Sequence, residues 1–472
     1  VSTFSGLNTA LSGLNAARTG LNTTGQNLTN VNTAGYTRQR AEFSALGTPA
    51  RGSLNDSGIK VGQGVGVSGI SRLGDVFLEA RVRTSFSASG YTGVRANALN
   101  SIEETLNEPG PNGISSQLQG FWTSWQGVSN TPGDAASSAV LLEKSATLTQ
   151  SIASGYKAMD AQWSQTRGSA DTVVKDINGT AAQVAALNKQ IRAATAAGTP
   201  NNELIDQRNT LTAKIAQLTG GTTRELPDGT NEILLGGNVL LSGSTSNEVK
   251  LFGATKMAQG GPVQLEWAHR PGSAVDLDGG KLAGMLSVLK PAELDGSGGM
   301  IAQTAASYNT MARKLADTVN PVYKGGVAPD KTTGNDFFEF TAGVPAALGL
   351  TVVPKDAGSI QVGAPNAGGK DGSIAATISQ LGIGADSPDT VWSDTVVRLG
   401  VEIQSGLQQA VLADMSLNNA VASQQSNASV DIDEENVNLL TYQHAYQAAA
   451  RVMTAIDEAL DVLINQTGRV GR

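Results

Sequence analysis

The chain has 472 residues, 33 basic and 41 acidic, giving a net charge of −8 without a basic run, which removes a nucleic-acid footprint. It contains no cysteine, so disulfides, thiolate metal sites and cysteine nucleophiles are excluded together. Only 16% of residues are charged and 4% aromatic, while 56 are glycine, so cores must be thin layers of Leu, Val, Ile and Ala in an elongated, multi-domain molecule.

The first 32 residues repeat a seven-residue unit: Ser5-Gly6-Leu7-Asn8, Ser12-Gly13-Leu14-Asn15 and Thr19-Gly20-Leu21-Asn22, fading at Gln26-Asn27-Leu28-Thr29. Leu7, Leu11, Leu14, Leu21 and Leu28 follow coiled-coil spacing and are the candidate N-terminal assembly seam. Arg18 is the single charge before Arg38. A glycine inside a helix costs about 1 kcal/mol relative to alanine. Gly6, Gly13 and Gly20 therefore make sense in a helix only if a neighbour packs closely against it.

Asn30 to Tyr36 reads as a helix stop. Residues 58–70 alternate glycine with Val61, Val65, Val67 and Ile70 in a strand-like pattern. Gly64-x-Gly66-x-x-Gly69 matches a dinucleotide fingerprint by letter but lacks a surrounding βαβ unit. From 75 to 219 the chain reads as helix, broken at Glu108–Pro111, Thr131–Gly133 and Gly198–Pro200, with Asn202 as the cap of the return helix. Trp122, Trp125 and Trp163 read as bundle core. Composition then shifts: Glu232–Leu235 and Val239–Leu241 around Gly236-Gly237-Asn238 predict a hairpin. Helix resumes from Leu282 to Asn320 with an interruption near 296–299. A β-like segment spans about Phe337 to Ile378, and Thr390 to Ser426 is helical again.

After a hinge at Asn427–Val430 comes a second seam. Leu439, Tyr442, Tyr446, Ala449, Met453, Ile456, Leu460 and Leu463 alternate by three and four. Asp431, Asp433, Glu434 and Glu435 open this helix, where carboxylates are favoured, and Gly468 closes it. The acidic run lacks the loop glycine and spaced oxygens of a calcium-binding loop. The two terminal helices, roughly 40 and 50 Å long, are expected to come back together. The predicted fold is mainly α with β-rich segments. Residues 1–40 with 429–472 form a coiled-coil inner domain. Residues 41–221 with 281–428 form a long-helix domain containing a β-like segment at about 326–382, and 222–280 form a small β-rich insertion or outer domain.

Catalytic candidates are few. His269 and His444 are the only histidines, and no phosphate-binding loop, nucleophile elbow or His-x-x-x-His pair occurs. No enzyme activity, cofactor or metal is expected. No window carries the eighteen apolar residues of a membrane span, and no cleavable secretory signal is visible.

Three stretches carry a family resemblance. The opening heptads running into Asn32-Thr33-Ala34-Gly35-Tyr36-Thr37-Arg38-Gln39 are similar to the N-terminal signature of flagellar rod, hook and hook-associated proteins, with alanine at 34 where proline is common. Asn438-Leu439-Leu440-x-Tyr442-Gln443-x-Ala445-Tyr446-x-Ala448 resembles that family's closing signature. The helical middle, with Asn202-x-Leu204-x-Asp206-x-Arg208 and Asp75-x-Phe77-Leu78, resembles a hook-associated member rather than the mostly β rod and hook members. The resemblance implies an extracellular structural protein of the hook–filament junction. It would be exported without a cleaved signal by the flagellar type III export apparatus and escorted by a cytoplasmic export chaperone. That chaperone would bind the C-terminal stripe Leu439, Tyr442, Tyr446, Met453, Ile456, Leu460 and Leu463. The implied assembly partners are copies of itself, hook protein and hook-associated protein 3, with no nucleic acid and no membrane insertion. A hook-associated protein 3 or flagellin-like protein, and a secreted hydrolase or adhesin carried on an axial scaffold, remain the alternatives.

Overall fold

The computed structural model describes residues 3–47 and 62–466; Val61, within the strand-like stretch, and Gly468 lie outside the described residues. Helix makes up 62% and strand 12%, in keeping with a mainly α chain. Helix α1 (Thr3–Thr29) leads into an antiparallel hairpin, β1 (Gln39–Ala45) and β2 (Val65–Arg72), which lies along α1. Only the second strand is legible in the glycine alternation, because β1 carries Arg40, Glu42 and Ser44 on its exposed side. Gly64, Gly66 and Gly69 belong to this hairpin, so no βαβ unit surrounds them.

Asp75 then caps α2 (Val76–Leu106), accepting from the amides of Phe77 and Leu78. After the proline break come α3 (Ile114–Asn130), α4 (Ala135–Ala196) and α5 (Asn202–Thr219). The 62 residues of α4 reach about 90 Å. Leu141, Leu148, Ile152, Met159 and Trp163 bury its first half against α3 and α7; Val174, Ile177, Val184 and Ile191 bury its second half. Asn202 is not the cap of α5. Asn201 occupies that position, and the Asn202 side chain instead donates to Gln39 Oε1 and to the Ile70 carbonyl.

Two antiparallel sheets follow: β3 (Thr222–Glu225), β4 (Asn231–Leu235), β5 (Asn238–Ser242) and β6 (Thr245–Ser246) in one, and β7 (Val249–Gly253), β8 (Val263–Trp267) and β9 (Arg270–Ala274) in the other. Between β4 and β5, Gly236 and Gly237 both take positive φ (51° and 79°), the conformation a two-residue hairpin turn demands. Two asparagines of α4 hold the sheets to it. Asn188 bonds both the amide and the carbonyl of Asn231, and Asn178 does the same to Val249.

Helices α6 (Gly280–Val288) and α7 (Met300–Tyr323) return to the bundle. The β-like segment expected at 337–378 is mostly irregular. It holds only two three-residue strands, β10 (Phe338–Phe340) and β11 (Leu350–Val352), around α8 (Ala346–Gly349), and its end is helical, α9 (Ser373–Ser379). Its apolar residues are spent on the bundle: Phe337 and Phe338 join Phe121, Trp125 and Tyr323 with ring centroids 4.8–6.3 Å apart. Finally α10 (Pro388–Ala428) packs along α2, and α11 (Ile432–Asp461) turns back onto α1.

Candidate assembly interface

Helices α1 and α11 run antiparallel, and their register is set by the smallest side chains. A Cβ on Gly6 would stand 3.2 Å from Ile456, on Gly13 3.8 Å from Ala449, and on Gly20 2.6 Å from the Tyr442 ring. One heptad further, Asn27 Nδ2 donates to Glu435 Oε2 at 3.1 Å. The paired residues step by seven in opposite directions, so one register holds from residue 6 to residue 27. Along this line Ala10, Gly13, Ala17, Gly20, Thr24 and Asn27 are spaced alternately by three and four, and all but the half-buried Gly13 are buried. The line of contact therefore runs beside the leucine stripe. One residue is about 100° of rotation on a helix, so Leu7, Leu14, Leu21 and Leu28 flank the contact half-buried and Leu11 is exposed. On the α11 side the residues opposite Gly20, Gly13 and Gly6 are Tyr442, Ala449 and Ile456, with Leu463 just beyond the helix end. Leu439, Tyr442, Met453, Ile456 and Leu460 are half-buried, whereas Tyr446 and Leu463 are exposed.

The base of this pair is a buried polar joint. Asn27, 1% exposed, uses all four of its hydrogen-bonding positions. Its amide donates to the Gln39 carbonyl and to Glu435, and its oxygen accepts from the Tyr36 hydroxyl and the Gln39 amide. Burial, followed by the charges of Glu203, Asp206 and Glu435, raises the Tyr36 pKa, which keeps that hydroxyl a donor. Arg38 forks onto Glu434 at 2.7 and 2.9 Å and reaches Glu435 at 2.7 Å, and its backbone amide donates to the Ala428 carbonyl. The acidic run at 431–435 thus divides its work. Asp431 caps α11 by accepting from the amides of Asp433 and Glu434, while Glu434 and Glu435 bind Arg38.

A second cluster lies one residue away. The Thr37 amide donates to Asp206 Oδ2, Arg72 bridges Asp206 and Glu79, and Asn209 donates to Glu79 Oε2. Thr37 and Arg38, adjacent in sequence, therefore tie the hairpin to α5 and α2 on one side and to α11 on the other. Neither cluster was visible from residue types alone. The available signal was the seven-residue spacing of Gly6, Gly13, Gly20 and Asn27, mirrored by Ile456, Ala449, Tyr442 and Glu435.

Outward faces remain apolar. On α10, Val397, Val401, Val411, Leu412 and Met415 are more than half exposed; on α11, Val437 and Leu440 are too. From 403 to 428 the single charge is Asp414, and it accepts from Ser89 on α2. His444 is exposed on α11, and His269 sits beside Trp267 at 5.9 Å. Among the described residues no group of three His, Cys, Asp or Glu side chains could hold a metal ion, and no helix is long and apolar enough to cross a membrane.

Residues 99–338 match the family described as the flagellar hook-associated protein FlgK helical domain. Residues 7–37 match the flagella basal body rod protein family, and residues 424–466 match the C-terminal family of flagellar basal body rod FlgEFG proteins. The chain is 29% identical to flagellar hook-associated protein 1 of Bacillus subtilis over the whole of both chains. It is 30% identical to flagellar hook-associated protein 1 of Escherichia coli, over 76% of this chain and 63% of that protein, and so spans less than two thirds of it. The flagellar hook junction protein FlgK of Burkholderia pseudomallei superposes with a TM-score of 0.45 at 23% identity, over 56% of this chain and 47% of that one.

Proposed function

The chain belongs to the flagellar hook-associated protein FlgK family, a structural component of the flagellum that associates with other axial parts, and from that premise we propose that it joins hook to filament by self-assembly through its terminal helices. The observation that carries this reading is the terminal pair itself. On the α1 side its internal contact is made by small residues, so the half-buried leucine stripe of α1 and the exposed apolar positions of α11 keep surface available to neighbouring subunits. An apolar face this long and this poor in charge is costly in water unless another surface covers it. We assign residues 1–40 with 429–472 to an inner layer, 41–221 with 281–428 to the surrounding helical layer, and 222–280 to a small outer β-rich unit.

Copies of the chain, hook protein and hook-associated protein 3 are the assembly partners. Export runs through the flagellar type III apparatus to the cell exterior, and a cytoplasmic chaperone shields Leu439, Tyr442, Tyr446, Met453, Ile456, Leu460 and Leu463 beforehand. An amphipathic helix with Met and Tyr on its stripe suits such a groove. The role is structural rather than enzymatic. Glu232 and Glu266, buried carboxylates of the β-rich unit, are taken by Arg224 and by Gln264 with the Gly272 amide. Electron microscopy of a deletion strain tests the junction role: hooks without filaments and flagellin shed into the medium are expected. Normal filaments in that strain would refute it.

A further inference from the structure

The cavity between α2 and α5, closed by Gly35 and Thr37 at one end and by Val421 and Gln424 of α10, has a volume of about 330 Å³. Its charged wall residues are Arg72, Arg83, Lys214, Glu79 and Asp206, three cations against two anions. Each oxygen of the two carboxylates already has a donor. Arg72 takes one oxygen of each, Asn209 takes the second oxygen of Glu79, and the Thr37 amide takes the second oxygen of Asp206. Arg83 is left over. Its side chain is 15% exposed, makes no hydrogen bond among the described residues, and approaches Glu79 only to 3.9 Å. Lys214, an exposed residue on the neighbouring wall, forms no ion pair among the described residues.

A guanidinium carries five donors and cannot be deprotonated, so burying it without acceptors is unfavourable. Burial holds the Arg83 pKa below its ordinary value, with the Glu79 charge opposing incompletely. Nearby Arg208 is 3% exposed with an Nε lacking a partner; burial lowers its pKa first, and Arg72 and Arg83 add to that while Glu225 and Glu79 oppose it.

We propose that this cavity is an oxyanion site in which Arg83 and Lys214 bind a phosphate or carboxylate group. The forked guanidinium suits two oxygens of such a group, and 330 Å³ is several times the roughly 30 Å³ share of one water molecule. The anion is either free in solution or the side chain of an acidic residue on a second copy.

The test is thermal unfolding of the full chain at constant ionic strength, with chloride exchanged for inorganic phosphate. Wild-type Tm is expected to rise by about 1–3 °C per tenfold increase in phosphate once the site fills. Arg83→Met is expected to match or exceed wild-type Tm without phosphate, because it removes a largely buried cation that the 3.9 Å pair with Glu79 compensates only in part, and to lose the phosphate response. Lys214→Met should weaken that response and Arg83→Lys should keep part of it. Equal phosphate stabilisation of wild type and Arg83→Met would be a general salt effect and would overturn the proposal. So would an unresponsive wild type with a destabilised Arg83→Met, which would make Arg83 a structural partner of Glu79. Sedimentation separates the two sources. Phosphate leaves wild-type self-association unchanged if the occupant is a free ion, and reduces it if a second copy's carboxylate is displaced.

Discussion

The terminal helix pair and the central body are both helical, yet they are held together by opposite means. In the body, large side chains disappear completely: Trp125, Trp163, Phe121, Phe337 and Leu148 are at most 1% exposed. In the pair, the contact line is glycine, alanine, threonine and asparagine, and most of the α11 stripe stays half-exposed. Burial at roughly 25 cal/mol per Å² stabilises the body by itself. The pair gains little from its own contact, and the polar joint at its base reinforces the register that the glycines set. A body built this way can fold alone, whereas a pair built this way has apolar surface left for neighbours.

The widest separation between the regions comes from one substitution in each. Trp163→Ala should cost about 3–5 kcal/mol, read as a lower midpoint in denaturant. Leu14→Asp should leave that midpoint within about 0.5 kcal/mol while abolishing incorporation at the hook tip. A Leu14→Asp variant that still supports filaments would show that the leucine stripe faces no packed interface.

Breaking the joint comes next. Glu435→Leu strands the Asn27 amide and removes one of the three bonds from Arg38 to carboxylates, a loss of about 1–3 kcal/mol. Hydrogen exchange should speed up across 20–29 and 432–442 while 141–163 stays protected. Uniformly faster exchange would mean that pair and body form one cooperative unit.

Smaller effects test the register. Gly20→Ala places a methyl 2.6 Å from the Tyr442 ring, a clash of about 1–3 kcal/mol that outweighs the helix-propensity gain of about 1 kcal/mol. Gly25 has nothing within 4 Å of its would-be Cβ, so Gly25→Ala should keep that gain and stabilise α1 by up to about 1 kcal/mol. Circular dichroism melts of the two variants should move in opposite directions. Equal shifts would refute the register.

The amino-acid sequence by itself determined the long elements. Helices such as α2, α4, α10 and α11 announce themselves by periodic apolar residues, by Asp75 and Asp431 at their starts and by proline or glycine breaks, all of which act within a few residues. The β4–β5 turn was legible for the same reason, since Gly236-Gly237 must supply the two positive φ angles. What only the tertiary structure decided depends on which surfaces meet. Leucine spacing suggested the face α1 presents to α11, but the partner offers Tyr442 and Ile456, which fit where α1 has no side chain, so the helix turns its glycines inward. The 337–378 segment reads as sheet but is mostly irregular, because its Phe, Val and Ile residues suit a strand as well as a bundle wall. Arg38, Glu435, Arg72 and Asp206 are hundreds of residues apart along the chain or separated by whole helices. Charge attraction has no sequence period, so their meeting could be known only once the backbone had brought them together.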